Sequence, residues 1–436
     1  MTESYRDQFA ANAANGGGEG PTWLPALRAQ AFERFTALGF PTTRDEDWHF
    51  TSVTPIAERT FKAVKSAPTT LTLTDIAPWL VNESWQRLVF VNGRLEPLLS
   101  HFSELPAAVQ LSTLSDALRE EPEWVKQHLG TLAGFDRAAF TALNTAFMQD
   151  GVVVRIPEGE CVEVPLHILH ISDAHAAGAA VHPRLLVVAE AQSQVVLVES
   201  YVGLGQASYL VNTVAEVSVG DGARVDHYKI QRDGIEAFHV STVQVTQGRD
   251  SIYHSFSYAA GAALSRTNVY TKLLGTGGEA RLNGLYILDG TQHADHQTFV
   301  EHLAESCASR ELYIGILDGS SHGVFNGKVY VDPIAQKTDG KQTNKALLLS
   351  DKARIDTKPQ LEIFADDVKC THGATIGKLD EQALFYLKSR GIGGENARAL
   401  LTYAFAAQVL ETIEIDSLRL LLERAIFARF TNLALE

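Results

Sequence analysis

The sequence predicts a mainly β protein built around a parallel β-helix, with helical regions before and after it. Three observations carry that expectation. From about Val152 to Ile376, short β-branched runs alternate with Gly, Asp and Asn turns, among them Asp221-Gly222, Asp233-Gly234, Asp289-Gly290, Asp318-Gly319 and Asp339-Gly340. One local pattern, a polar or glycine turn followed by a small residue and an alternating run, recurs at Ser193, Ala223, Ser251, Ala280 and Ser309. Its spacings are 30, 28, 29 and 29. The same stretch shows no helical patterning. A strand-rich repeat of this length cannot bury its own apolar face, but repeats stacked at about 4.8 Å share a continuous core. The five residues are therefore expected at equivalent corners, one above another. Weaker matches lie near Glu163 and, after a longer insertion, at Ala353. A sandwich of antiparallel hairpins is the competing arrangement, because Asp-Gly turns also close hairpins.

The elements follow in order. Residues 1–20 end in Gly16-Gly17-Gly18-Glu19-Gly20 and read as a flexible tail. Residues 21–151 form a mixed, mostly helical region. Leu24, Leu27, Ala31, Phe35 and Leu38 recur at helical spacing, and Gly39 stops that helix. Leu88–Val91 and Leu95–Leu99 flank Asn92-Gly93, a hairpin signal. Two further helices are expected near Leu114–Leu129 and Asp136–Met148. The β-helix core spans 152–378, and a helical domain fills 379–436. Its three helices are Asp380 to Ser389 with an acidic N-cap, Glu395 to Thr412, and Asp416 to Phe430. The last carries Leu418, Leu421, Leu422, Ala425, Ile426 and Phe430 on one face. Helices so rich in Leu, Phe and Ala must cover the end of the solenoid or bind another protein. Leu418, Leu422 and Ile426 lead the candidate partner-binding face.

Composition narrows the function classes. The chain has 436 residues, 45% hydrophobic and 20% charged, an ordinary globular balance. It has no apolar run of about 18 residues, so no membrane span is expected. The first residues lack the apolar core of a secretory signal, so a cytoplasmic location is expected. A net charge of −15 disfavours nucleic acid as a partner. The three cysteines, Cys161, Cys307 and Cys370, lie far apart with no CxxC, which fits a reducing compartment.

The chemistry concentrates in Lys358–Gly377, KPQLEIFADDVKCTHGATIG, which sets Cys370 and His372 two residues apart after Asp366-Asp367. In an extended segment they share a face, with Cα atoms about 6.5–7 Å apart. Thiolate and imidazole both suit iron or zinc, and the thiolate is also a nucleophile. Two ligands do not complete a cluster or a tetrahedral ion. The rest must come from elsewhere in the chain or from another chain. A small buried filler is the plainer reading of Cys370, and Cys161 and Cys307, within repeat positions, read most simply as buried core or surface thiols. A Cys–His hydrolase would need an orienting group, which Asp366 or Asp367 offers, and an oxyanion hole, which nothing marks. His293 and His296, with His302, and the pair His167 and His170 invite a metal reading. However, i and i+3 fall on opposite faces of a strand, so stacked structural polar residues are expected there. No GxxxxGK[ST] occurs, and Gly340-Lys341 is followed by Gln342. Gly203-Leu-Gly205 lacks a third glycine, and Gly391-Ile-Gly393-Gly394 lacks a preceding strand. Any ATPase would be another chain.

The phrase KPQLEIFADDVKCTHGATIG resembles the signature of SufD-type subunits of the SUF iron–sulfur cluster assembly scaffold, in the SufB/SufD family. LDEQALFYLKSRGI (Leu379–Ile392), DEDWHFT (Asp45–Thr51), LVFVNG (Leu88–Gly93) and LNTAFMQDG (Leu143–Gly151) resemble the family too. The resemblance covers nearly the whole chain beyond the first twenty or so residues. It implies a right-handed β-helix core and a non-ATPase scaffold subunit that is not itself an enzyme. It implies pairing with a SufB-type paralogue and a SufC-type ABC ATPase, and indirectly with a cysteine desulfurase system, in the cytoplasm. It further implies a transient iron–sulfur cluster shared with the partner subunit and not held stably by the isolated chain. His372 would contribute to that cluster, with Cys370 beside it, and the C-terminal helices would dock the ATPase. A homodimer is possible in isolation. Two alternatives stand beside this reading. One is the SufB-type paralogue itself, against which stand the three cysteines and the KCTHGATIG form. The other is a β-helix enzyme acting on polysaccharide, which would need grooved acids and normally a secretion signal.

Overall fold

A computed structural model describes residues 5–11, 20–64, 69–102 and 105–430. From Gly151 to Gly377 the chain winds as a β-solenoid of about eight turns, each giving one strand to each of two sheets. The first sheet receives Gly151–Ile156, Arg184–Ala189, Leu210–Val219, Phe238–Gln247, Leu264–Leu273, His293–His302, His322–Val331 and Arg354–Ile363. The second receives Leu166–Ser172, Gln194–Gly203, Arg224–Arg232, Ile252–Ala259, Glu279–Leu288, Ala308–Leu317, Asp339–Leu348 and Lys369–Gly377. Successive strands in each sheet pair in parallel, which excludes the hairpin sandwich. The Asp-Gly turns serve the winding instead: Gly222, Gly290 and Gly319 take left-handed φ of 66°, 58° and 61° at strand connections.

The repeat is real, but its register differs from the one expected. Gln194, Arg224 and Ile252 pair in succession, so Ser193, Ala223 and Ser251, each one residue earlier, share a column. Ala280 pairs with Tyr253, not Ser251, and then with Ser309. The five residues thus fall into two columns two residues apart. Side chains alternate with a period of two, so a slip of two preserves the inward pattern and periodicity cannot detect it. The second column continues through Gly340 to Cys370. Ala353 belongs to the other sheet, since its neighbour Arg354 pairs with His322.

Inward residues of the second sheet, Val225, Tyr253, Leu282 and Tyr313, meet Val217, Val245, Val269 and Phe325 of the first in one buried cluster. Tyrosines alternate with glycines across turns. A Cβ on Gly284 would fall 2.3 Å from the Tyr313 ring, and one on Gly315 would fall 2.4 Å from the Tyr286 ring.

Both outer faces are covered. The N-terminal region packs Val53, Ile56, Phe61 and Phe140 on Leu210, Phe238, Val240 and Leu264 of the first sheet. Polar anchors fix this seam. Buried Arg184 pairs with Glu216 at 2.5 Å, and Glu216 accepts the backbone N–H groups of Gly130, Leu132 and Ala133. Asn144 donates to the carbonyls of Pro183 and Asn212. Arg266 stacks over Trp48 at 3.7 Å, and Thr51 donates to Asp295 at 2.5 Å. The phrases DEDWHFT and LNTAFMQDG therefore lie at the joint between N-terminal region and solenoid. The Leu24–Leu38 helix forms and stops at Gly39. The single helix expected over 114–129 is two, Leu114–Glu120 and Pro122–His128, because Pro122 lacks an N–H and disfavours helical geometry before it. Ala139–Phe147 forms the next helix. Gln86–Val91 and Arg94–Leu95 make the hairpin, with Asn92 and Gly93 at φ 51° and 80°. Gln86–Val91 also pairs with Leu166–Ser172, so LVFVNG extends the second sheet. Part of the expected tail is not free: residues 5–11 are helical, and buried Tyr5 packs edge-on against Phe35, Phe40 and Phe147. Residues 1–4 and 12–19 of that tail lie outside the described residues.

The C-terminal helices are Glu381–Ser389, capped by Asp380, then Gly394–Leu410 and Asp416–Phe430. Leu418, Leu422 and Ile426 are fully buried, not exposed for a partner. With Val409, Leu410 and Ile413 they cover Tyr228, Ile230, Phe256, Leu285, Ile287 and Ile314 on the outside of the second sheet. The helices thus close the solenoid's side and not its end, since outward positions of these strands are as apolar as inward ones. Their outward apolar residues are Phe385, Tyr386, Leu400 and Leu420. Among the described residues no helix is long and apolar enough to cross a membrane.

Candidate functional site

The last turn of the solenoid differs from those before it. Arg354–Ile363 and Lys369–Gly377 stand at the ends of their sheets, each paired on one side alone. Side chains that are buried in earlier turns are half-buried or exposed here, and Phe364 and Ile376 face solvent. A long edge with unpaired N–H and C=O groups is a template for another strand. The phrase KPQLEIFADDVKCTHGATIG makes up most of this turn.

Cys370 and His372 share the face predicted for them. Cys370 pairs with Gly340 and His372 with Gln342, both on the inward side of the second sheet. Cys370 is half-buried at the rim of a cluster of Val329, Val331, Ala335 and Ala365. Gly340 leaves room for it, since a Cβ there would sit 3.4 Å from its Sγ. Burial pushes the thiol pKa up, so the thiol stays protonated near neutrality, a poor nucleophile and a poor ligand as it stands. His372 is exposed. Asp366 and Asp367 are exposed in the connecting turn. The backbone N–H of Asp367 donates to Gln336 Oε1, and its carbonyl accepts from Lys337 N–H. Among the described residues no hydrogen bond joins either acid to His372, so neither orients it.

Behind His372 lies a residue that sequence reasoning did not single out. Glu311 is fully buried inside the solenoid, where it accepts from Thr298 Oγ1 at 2.5 Å and from Gln342 Nε2 at 3.3 Å. Burial pushes its carboxyl up to about 7. Its signal in the sequence was spacing, because Glu311, Gln342 and His372 fall in one column.

The structure does not bring the histidines of the other two groups together as ligands. His167 bonds Ser200 at 2.8 Å, and His302 bonds Ser309 at 2.9 Å. His170 stacks on Phe90 and Tyr201, and His296 on Tyr286. Burial pushes His167 and His296 down to about 3, and His170 and His302 to about 4, so all four are neutral. His293 and His296 diverge as strand geometry requires; His293 turns outward to Thr51 and His322. Cys161 is exposed, and Cys307 is buried against the Gly275 carbonyl.

Among the described residues one trio of ligand-type side chains could close on an ion: Asp226, His254 and Glu414. Glu414 arrives from the C-terminal helical cover. Arg224 bonds both carboxylates and already supplies the positive charge, so the trio reads as a clamp holding that cover to the solenoid. Neither Cys370 nor His372 belongs to such a trio.

These features define a β-solenoid protein whose open last turn carries an incomplete pair of soft ligands. Residues 170–405 match the SufBD core domain of the SUF system for iron–sulfur cluster assembly, and residues 1–168 match the SufBD protein N-terminal region. The chain belongs to the SufBD family of iron–sulfur cluster assembly proteins. It is 35% identical over 411 residues to an iron–sulfur cluster assembly SufBD family protein of Synechocystis, covering 92% of this chain and 90% of that one. It is 30% identical to the iron–sulfur cluster assembly protein SufD of Escherichia coli, over 89% of each chain. To SufD of Bacillus subtilis it is 28% identical, over 92% of each.

Proposed function

We propose that this chain is a SufD-type scaffold subunit that completes an iron–sulfur assembly site together with a second, SufB-type subunit. One observation carries the reading. The family phrase lies on an unpaired double edge, with His372 exposed beside half-buried Cys370 and, among the described residues, no third ligand grouped with them. A partner that adds strands to Arg354–Ile363 and Lys369–Gly377 would cover the apolar side chains Ile363, Phe364 and Ile376. It would also bring donors to the open face of His372. The names of the Escherichia coli and Bacillus subtilis relatives favour the SufD-type over the SufB-type role.

In this role the cluster is cargo. The imidazole of His372 offers one nitrogen to iron while the cluster forms at the joint. It brings less negative charge than a thiolate, which suits a cluster that must leave. The chain has no ATPase of its own in this scheme; a SufC-type ATPase docks on the outward side of the C-terminal helices, near Phe385, Tyr386, Leu400 and Leu420. A cysteine desulfurase system feeds sulfur to the complex, in the cytoplasm. The same open edge would let isolated chains pair with each other. The test is iron and acid-labile sulfide per purified complex, wild type against His372→Ala. Loading should fall while the complex still assembles. Equal loading with equal assembly activity would remove His372 from the mechanism. Cys370→Ser is expected to be milder, because the raised thiol pKa and the apolar rim fit a packing role.

A further inference from the structure

The inward column that ends at His372 contains Leu282, Glu311, Gln342 and His372, each paired in register with the next. Gln342 is 1% exposed. Its Nε2 donates to Glu311 Oε1 at 3.3 Å, and the other oxygen of Glu311 takes the Thr298 hydroxyl at 2.5 Å. One end of the Gln342 amide is thus anchored from behind. The other end, Oε1, is buried with no hydrogen-bond partner. The amide has a slot made for it, because a Cβ on Gly327 would lie 2.1 Å from Nε2. A buried carbonyl without a donor is costly, so a donor brought to it is stabilising. The next residue in the column is His372, one strand spacing of about 4.8 Å away. In the uncovered chain that imidazole is exposed.

We propose that Gln342 is a positioning residue: its Oε1 accepts a ring N–H of His372 once a partner covers the last turn, and Glu311 keeps the amide carbonyl facing that way. This rests on the reading of His372 as a ligand at the joint. The consequence is chemical. Committing one ring nitrogen as a donor to Gln342 leaves the other as a lone pair, with a fixed tautomer and ring plane. Were the amide reversed, its NH₂ would face the ring and hold the wrong nitrogen. Above about pH 7, where Glu311 is ionised, it offers acceptors alone and selects the orientation that sends Nε2 back and Oε1 forward.

The experiment compares the full chain as wild type, Gln342→Met, Glu311→Gln and the exchange E311Q/Q342E. Each is assembled with its SufB-type partner without iron, then reconstituted. Two readouts are taken: the ring-nitrogen tautomer of His372 by ¹⁵N NMR of the iron-free complex, and the rate of iron loss to a chelator after loading. At about pH 8.5, where Glu311 is ionised, wild type should show one tautomer. Gln342→Met, which fills the slot but accepts nothing, should show a mixture and lose iron about tenfold faster, the scale seen when a ligand's outer partner is removed. Glu311→Gln, which can donate or accept, should show a partial mixture. The exchange reverses the donor between positions 311 and 342 but again presents an acceptor to His372, and should restore both readouts, which a purely structural role would not do. If His372→Ala loses loading while Gln342→Met and Glu311→Gln keep the wild-type tautomer and iron retention, this inference falls and the proposed function stands. If His372→Ala loads normally, both fall.

Discussion

Replacing Glu311 by Gln should flatten the dependence of stability on pH, by an amount the structure sets. Glu311 is fully buried, and its carboxyl is pushed from 4.5 to about 7 by burial, against the hydrogen bonds from Thr298 and Gln342. In the unfolded chain the acid ionises near its ordinary value. Between about 4.5 and 7 the folded chain therefore holds a proton that the unfolded chain has lost, and stability falls as pH rises through that window. Below it the acid is protonated in both states, and above it the cost is complete. Each tenfold in proton affinity is about 1.4 kcal/mol, so the full fall is about 3 kcal/mol. Gln does not titrate. Loss of the proton-donating O–H or of the second acceptor changes stability by about 1 kcal/mol, at every pH alike. Nearby Tyr313 adds no slope, because burial pushes its phenol far up. The assay is urea unfolding of wild type and variant from pH 5 to pH 8.5. The variant should gain on wild type by about 2.5 kcal/mol across the series, part of the fall lying below pH 5. Parallel curves, or a variant that loses ground as pH rises, would refute the buried-acid argument.

Three other outcomes are expected. Leu422→Ala, at a fully buried position between the last helix and the second sheet, should cost about 2–5 kcal/mol and open the C-terminal helices to limited proteolysis. Arg184→Met should cost about 3–5 kcal/mol because it removes the counter-charge of buried Glu216, and adding Glu216→Leu should not recover the loss, because the N–H groups of Gly130, Leu132 and Ala133 then lose their acceptor, both read from urea midpoints. Phe385→Ser with Tyr386→Ser should leave the unfolding midpoint unchanged yet weaken capture of a SufC-type ATPase, since both side chains face solvent, at 74% and 56% exposure. Capture at the wild-type level by that variant would move the docking surface elsewhere.

The sequence carried the solenoid because a repeat near 29 residues leaves a mark on every turn, and the helix of Leu24–Leu38 because its stripe and its stop residue agree. It carried the Cys370–His372 pair because two residues on one strand share a face whatever the rest of the fold does. Register was beyond it. A two-residue slip between Ser251 and Ala280 leaves every inward residue inward, so the pattern could not choose. The direction of the C-terminal stripe was beyond it for a related reason. Leu418, Leu422 and Ile426 announce an apolar surface below them without saying which, and the sheet that takes them is set by Tyr228, Phe256 and Ile314, far away in sequence. Glu311 was legible only as one more residue at the repeat spacing, because its meaning lies in what stands one turn ahead of it.

The open edge and the unfinished ligand pair amount to one device on the proposed reading. Alone, the last turn holds an exposed imidazole and a protonated thiol, too few donors and too little negative charge to keep iron. The strand that pairs with Lys369–Gly377 removes water from His372 and turns its face toward the new subunit's donors in the same step. The ring then has an acceptor waiting in Gln342 Oε1, which no group satisfies before that step. Ligand number, ring orientation and dryness would therefore all arrive on pairing, and none of them before. A lone subunit built this way should not collect iron from its surroundings, and a paired one should hold a cluster only while the joint is closed. Opening the joint by even one strand would return His372 to water and remove its neighbours' donors together. Release in this scheme needs no separate ligand exchange on this chain, only a movement of the subunit seated on its last turn.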